Sequence, residues 1–172
     1  MAAGQVGSET IGGFLAAIAT TGPAPGAGST AAVTLALGIA CARKAMAMTL
    51  HHHPDTPRLG AVETHFAGLN ETALAGAEAD MRCFTTYIEA CKLPHDDPDR
   101  PAAERAALED LVAVGENMIA QGEEAQRMIG EIRASIIPMM ANDIAAALSL
   151  IAAARAIHLS CTDESRRALA IV

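Results

Sequence analysis

Two aspartates stand where their surroundings would change their chemistry. Asp143 lies in Met139-Met140-Ala141-Asn142-Asp143-Ile144-Ala145-Ala146-Ala147-Leu148, apolar on nearly every side of a helix, so most orientations bury its carboxylate. A buried carboxylate must find partners or take up a proton, and a raised or coupled pKa suits a general base or proton relay near neutral pH. Asp143 reads equally well as an acidic residue near a helix start, stabilising the dipole and capping free N–H groups after Pro138. Asp80 falls on the apolar stripe of a long helical segment, which turns it inward, either into a site or toward a basic residue of a neighbouring helix. Lys92 and Arg43 could bring positive charge to a ligand carboxylate or a developing anion, or remain solvated surface groups. Arg155 and His158 are unusual within an Ala/Ile/Leu helix, yet Asp143 and His158 lie roughly 22 Å apart along it. They cannot act together on one helix, but can across an antiparallel subunit interface.

The segment Pro23-Ala24-Pro25-Gly26-Ala27-Gly28-Ser29 ends a short apolar helix and opens a long Ala-rich one. Its prolines fix φ and its glycines permit positive φ, so it reads as a rigid, sharply bent loop. Unpaired N–H groups at the start of the following helix can hold an anion or a carbonyl-rich ligand edge; a plain helix–helix turn is the alternative. His51, His52 and His53 do not read as a metal site, because adjacent helical residues point about 100° apart and no Glu-x-x-His or Cys/His spacing completes a ligand set.

The elements that position these groups are helices. Helical periodicity predicts segments at 9–19, with Ser8 as cap, at about 30–51, 57–93, 101–134 and 138–159, and a last short one capped by Thr162 or Asp163. Leu59, Val62, Phe66, Leu69, Ala73, Ala77, Phe84, Ile88 and Cys91 form one stripe; Leu108, Leu111, Val112, Met118, Ile119, Ala125, Ile129 and Ile132 form another. Gly115, Gly122 and Gly130 lie inside the fourth segment, where they permit close helix packing. With 172 residues, 51% of them apolar but only 2% aromatic, the chain is expected to be one all-α domain over residues 1–172, an up-and-down bundle of about five helices. Apolar stripes on more than one face predict a homodimer.

A net charge of −8 and a pI near 5.1 speak against a nucleic-acid partner. Cys41, Cys83, Cys91 and Cys161 sit in helical patterns without Cys-x-x-Cys spacing, so disulfides are not expected. No positive charge precedes Arg43, and the apolar runs at 30–42 and 144–154 are too short for a bilayer; the expectation is a soluble cytoplasmic protein with no membrane partner.

Four stretches, spanning about residues 8–160, together resemble the formiminotransferase-cyclodeaminase family, which includes cyclodeaminase domains and stand-alone methenyltetrahydrofolate cyclohydrolases. The 23–29 loop is similar to the family's Pro-x-Pro-Gly-Gly-Gly-Ser signature, and Ile11-Gly12-Gly13-Phe14-Leu15 resembles its opening Phe-Leu helix. Asp80-Met81-Arg82-Cys83-Phe84, followed by Tyr87, Ala90, Lys92, Leu93 and Pro94, resembles its Asp-Ala-x-Ala-Phe…Lys-Leu-Pro run; Asn142-Asp143 stands in place of its Ser-Asp. Departures are Ala27 for the middle glycine, Gly13 for an acidic residue, and His51-His52-His53-Pro54 for a lysine-rich stretch. Ile137 and Met139 replace asparagines, and His158-Leu159-Ser160-Cys161 replaces an Asn-rich helix end.

The resemblance implies an all-α enzyme that hydrolyses the methenyl bridge of a reduced folate, 5,10-methenyltetrahydrofolate to 10-formyltetrahydrofolate, or carries out the related formimino cyclodeamination. It implies no metal or redox cofactor, with the folate or a related pterin as substrate. Asp143 would be the base, with Asp80 and Lys92 assisting. Pro25, Gly26, Ala27, Gly28 and Ser29 would pack on the pterin, and Arg43, Lys92 and Asn142 would contact the substrate. Two alternatives stay open: another carrier such as tetrahydromethanopterin, which fits the altered lysine-rich segment, and a non-catalytic binding or assembly subunit.

Overall fold

Residues 6–172 are described by the computed structural model, in which five α-helices follow one another through short connections. They are α1 (Ile11–Ile18), α2 (Ala27–His52), α3 (Pro57–Cys91), α4 (Arg100–Ile132) and α5 (Ala141–Leu169), with 3₁₀ turns at Val6–Ser8, Arg133–Ser135 and Pro138–Met140. Among the described residues there is no strand, and the all-α bundle expected from the sequence is the fold.

Local chemistry sets the boundaries, and several differ from the periodicity reading. Thr10, not Ser8, caps α1, its Oγ1 accepting the Gly13 N–H at 3.0 Å. α2 begins at Ala27 rather than near residue 30, so Gly28 and Ser29 are helical and not loop. The Ala24–Pro25 peptide is cis, and no described glycine has positive φ, so the expected glycine-driven bend is absent. α2 ends where His53 N–H reaches Thr49 O at 2.8 Å and Pro54 follows. Pro57 and Pro101 occupy the first turns of α3 and α4, where a missing N–H costs nothing. The break expected near residues 159–162 does not occur. Thr162 is buried against Gly115 instead of capping a new helix, and α5 runs on to Leu169.

The four long helices form a closed ring: α2 packs on α3 and α5, and α4 packs on both of the same neighbours. Leu35, Ile39, Met46, Phe66, Ala73, Met118, Ile129 and Ile151 fill its interior. A core so rich in alanine brings backbones close. A β-carbon on Gly38 would sit 3.0 Å from Ala147 O and 2.8 Å from Ile151 Cγ1, so only glycine permits this α2–α5 approach. Gly115 and Gly122 serve α4–α5 packing against Thr162 and Arg155 in the same way, whereas Gly130 faces open space and has no such role. At the α4–α5 turn, buried Thr49 donates to Ala45 O at 2.8 Å and accepts the Ile137 N–H at 3.3 Å, tying the connection to the end of α2.

α2 and α5 each contain a stretch long and apolar enough to cross a bilayer by length and composition. These stretches exceed the runs counted from sequence because they pass through isolated charges. Half of the α2 stretch is buried. Less than a third of the α5 stretch is buried, and Leu159 is 43% exposed.

His158 is buried on α5, its Nε2 has no hydrogen-bond partner, and burial lowers its pKa to about 4. The unfolded chain takes that proton near pH 6.5 and the folded protein only near 4. This residue's contribution to stability is therefore complete above about 6.5 and is lost as pH falls toward 4, by at most about 3 kcal/mol. Urea titrations of His158→Gln and the parent at pH 7 and pH 4 should differ in slope with pH accordingly; parallel curves would contradict the burial of a neutral imidazole. Gly38→Ala should cost about 1–3 kcal/mol in the same assay, despite the gain of about 1 kcal/mol in helix propensity.

Candidate active site

Asp80 lies in the second half of α3 and reaches across to the first turn of α2. There the Ser29 backbone N–H and hydroxyl lie against its carboxylate and favour its charged form. Access depends on Gly28, whose α-carbon faces Asp80 so closely that a β-carbon there would overlap Oδ1 and Oδ2. Ser29 also closes the turn locally: its Oγ accepts the Gly26 N–H at 2.9 Å and lies 3.1 Å from Gly26 O, which competes with Asp80 for the single hydroxyl proton. Thr30 Oγ1 donates to the same carbonyl at 2.7 Å. The Asp80 carboxylate thus caps a helix that its own chain segment leaves without a side-chain cap.

Burial dominates its titration. Desolvation pushes the Asp80 pKa up to about 6, outweighing the two Ser29 groups that favour the charged form. The group is therefore poised to take and return a proton near neutral pH.

Asp80 opens on a cavity of about 300 Å³ whose other walls come from three helices and the 24–28 segment. Phe84 and Tyr87, four and seven residues along α3, sit on the Asp80 face with ring centroids 6.4 Å apart and planes tilted by 48°. Leu108 and Leu111 of α4 add apolar wall, and Cys161, Glu164 and Ser165 of α5 close the far side. A hydrogen bond to Cys91 pushes the Tyr87 phenol up, and burial with the nearby Asp80 charge pushes up the Cys161 thiol. Both stay protonated at neutral pH. The arrangement offers a largely apolar slot with the Asp80 carboxylate, raised by burial, on one wall and Glu164 on the far side. Among the described residues no three His, Cys, Asp or Glu side chains converge on a metal position.

The residues singled out from sequence divide into two groups. Gly26, Ala27 and Gly28 line this cavity, Ser29 is buried beneath it on Asp80, and buried Pro25 lines an adjoining groove. Ala27 occupies a helical position, which alanine accepts as readily as the glycine it replaces. Asp143 is half-buried in the first turn of α5, beside exposed Asn142. It precedes Cys161 by 18 residues, about 27 Å of helix, so within one chain Asp143 and Asp80 occupy opposite ends of the bundle. Arg43 is held by Glu63 at 2.8 Å, about 22 Å of helix from Gly28. Lys92, at the end of α3, bonds Glu89 at 2.6 Å. Neither cation lines the cavity.

The sequence places Phe84 on an apolar stripe and Tyr87 in the family-like run, but assigns neither of them, nor the α5 wall, to the site. The spacing of Asp80, Phe84 and Tyr87 did carry a signal, since it places two of only four aromatic residues on one helix face with the acid. Cys161 and Glu164 were hidden because the helix was expected to end before them.

A family model described as formiminotransferase-cyclodeaminase matches residues 10–160. Formimidoyltransferase-cyclodeaminase of Sus scrofa is 37% identical over 110 residues, 59% of this chain and 20% of the relative. The Mus musculus counterpart is 34% identical over 103 residues, 57% of this chain and 19% of the relative. The chain therefore spans about a fifth of the length of these curated relatives. The crystal structure of a formiminotetrahydrofolate cyclodeaminase from Thermotoga maritima superposes with a TM-score of 0.84 over 94% of this chain and 80% of that one, at 16% identity, a likeness of fold.

The raised pKa of Asp80 has a consequence for stability. The folded protein holds this proton to about pH 6 and the unfolded chain releases it near 3.8, so its contribution to stability is full below 3.8 and is lost as pH rises through 6. Asp80→Asn should therefore be more stable than the parent at pH 8, by at most about 3 kcal/mol, with the gain vanishing below pH 4. Denaturation midpoints at the two pH values check this; an equal or lower midpoint at pH 8 would mean that the carboxylate is not desolvated.

Proposed function

Because this chain belongs to the formiminotransferase-cyclodeaminase family, we propose that it opens the methenyl bridge of a reduced folate by hydrolysis, converting 5,10-methenyltetrahydrofolate to 10-formyltetrahydrofolate. The observation that carries this reading is the Asp80 carboxylate, titrating near pH 6 in an aromatic-walled slot at the start of α2. The bridge carbon of the substrate is an amidinium cation, so a carboxylate beside it compensates its charge while the Phe84 and Tyr87 rings face the flat pterin. In the proposed reaction water adds to the bridge carbon and Asp80 takes one of its protons. The carbon–N5 bond then breaks as Asp80 returns that proton to N5, the remaining hydroxyl proton leaves to solvent, and the formyl group stays on N10. No resident cofactor enters. The same groups would serve ammonia release from a formimino substrate. A different pterin carrier is the second reading, favoured by the engagement of Arg43 and Lys92 in ion pairs away from the cavity.

Dimerisation belongs to the same proposal. The exposed face of α5, Ala145, Ser149, Ala152, Ala153, Ala156 and Leu159, is small and apolar enough for close packing on a second copy. An antiparallel α5 pair centred between Ala152 and Ala153 would set Asp143 of a second copy level with Thr162, at the Asp80 end of the bundle. Asp143 would then act in the proton relay from the neighbouring subunit.

Loss of the methenyl chromophore, followed with the purified protein against the buffer rate, tests the reaction. Acceleration is expected, rising as pH increases through about 6 and reduced at least about 100-fold in Asp80→Asn. No acceleration over buffer would overturn the hydrolase reading. A monomer by sedimentation, or an Asp143→Asn variant with parental rates, would remove the second subunit's role.

A further inference from the structure

A second and larger cavity, about 880 Å³, lies against the other side of the same loop. Ala24 is common to both linings, so the two cavities meet over this residue. Its walls are mostly small: Ala16 and Ala17 of α1, Gly22 and Pro23 of the loop, and Met81 of α3. Thr85 and Thr86 also line it, but their hydroxyls are spent on carbonyls of their own helix, Met81 O and Arg82 O. Only two charged residues border it, Glu78 and Arg82.

Arg82 differs from the arginines that brace the bundle. Arg43, Arg58, Arg100, Arg127, Arg155 and Arg166 each hold a carboxylate, while the Arg82 guanidinium, like those of Arg105, Arg133 and Arg167, makes no hydrogen bond or ion pair among the described residues, even with Glu78 one turn away. It is also the sole cation on either cavity lining. Asp80 and Arg82 are two residues apart on α3, about 200° around the helix, which is why one faces the small cavity and the other the large one.

The charges make the two cavities complementary to the two ends of one molecule. The small one holds Asp80 and Glu164 with no cation, so it suits a cationic ring and repels a carboxylate. We propose that the larger groove seats the carboxylate-bearing tail of the folate, with Arg82 binding the glutamate carboxylate while the ring lies over Ala24 on the Asp80 side. The assignment rests on the folate reading above. It makes Arg82 a specificity residue, which reads the tail and leaves the reacting carbon to Asp80. A guanidinium presents a planar pair of donors to a carboxylate, and this one needs no ion pair broken before it binds.

Two measurements on the full chain separate this proposal from the reaction itself. The first compares kcat/KM for 5,10-methenyltetrahydrofolate and for the corresponding methenyltetrahydropteroate, which lacks the glutamate. Arg82→Gln should cut the preference for the glutamate-bearing substrate about five- to tenfold; an unchanged preference overturns the assignment. The second measures equilibrium binding of p-aminobenzoylglutamate, which carries the tail without the pterin. Binding should weaken in Arg82→Gln and strengthen in Glu78→Gln, and equal binding by all three proteins overturns it. Arg82-dependent binding of the fragment by a protein that turns over no methenyl substrate would uphold the tail site and sink the hydrolase reading. Turnover with no effect of Arg82→Gln would do the reverse.

Discussion

The contact on which the site depends is the one between Asp80 and the first turn of α2. A helix start exposes unpaired N–H groups, and here the covering acceptor comes from another helix, through a gap that exists only because residue 28 has no side chain. Gly28 is thus a matter of space and not of backbone conformation, since its φ is ordinary. From that contact follow the desolvation of the carboxylate, its pKa near 6, and the placement of Phe84 and Tyr87 beside it on the same face of α3.

Desolvation makes this carboxylate chemically useful and also expensive. Folding must remove Asp80 from water, and the charged form is tolerated only with the help of Ser29. His158 adds a second buried titrating group with the opposite dependence on pH. The bundle tolerates both because its remaining interior is alanine, leucine, isoleucine and methionine packed at close range, with Gly38 allowing α2 and α5 to approach nearly to backbone contact.

Charge organises the surroundings on a larger scale. Four arginines brace neighbouring helices: Arg43 with Glu63, Arg58 with Glu131, Arg155 with Glu123 at 2.5 Å and Arg166 with Glu116 at 2.7 Å. Arg43, attractive as a ligand anchor on paper, belongs to that bracing set, and Lys92 pairs with Glu89 of its own helix. Arg82 is the one cation on either cavity lining, and it stands where the loop separates an acidic slot from a larger, mostly uncharged groove.

Helical class and the approximate number of helices were legible in the chain because each is a local property: apolar period, proline position, and scarcity of β-branched and aromatic alternation. Asp80 was legible as an inward-facing acid for the same reason. Helix ends were less so. Whether Thr162 caps a new helix or is buried within an old one depends on Gly115 of α4, and whether α2 starts at residue 27 or 30 depends on what caps it, a side chain some fifty residues away. Partnership was not legible at all. Sequence places Asp143, Asp80, Arg43 and Lys92 on helices but cannot say which ends meet; the antiparallel run of α2 and α5 brings Cys161 and Glu164 to Asp80 and carries Asp143 away from it. Period is written residue by residue along a chain, whereas adjacency between distant segments exists only once helices have packed.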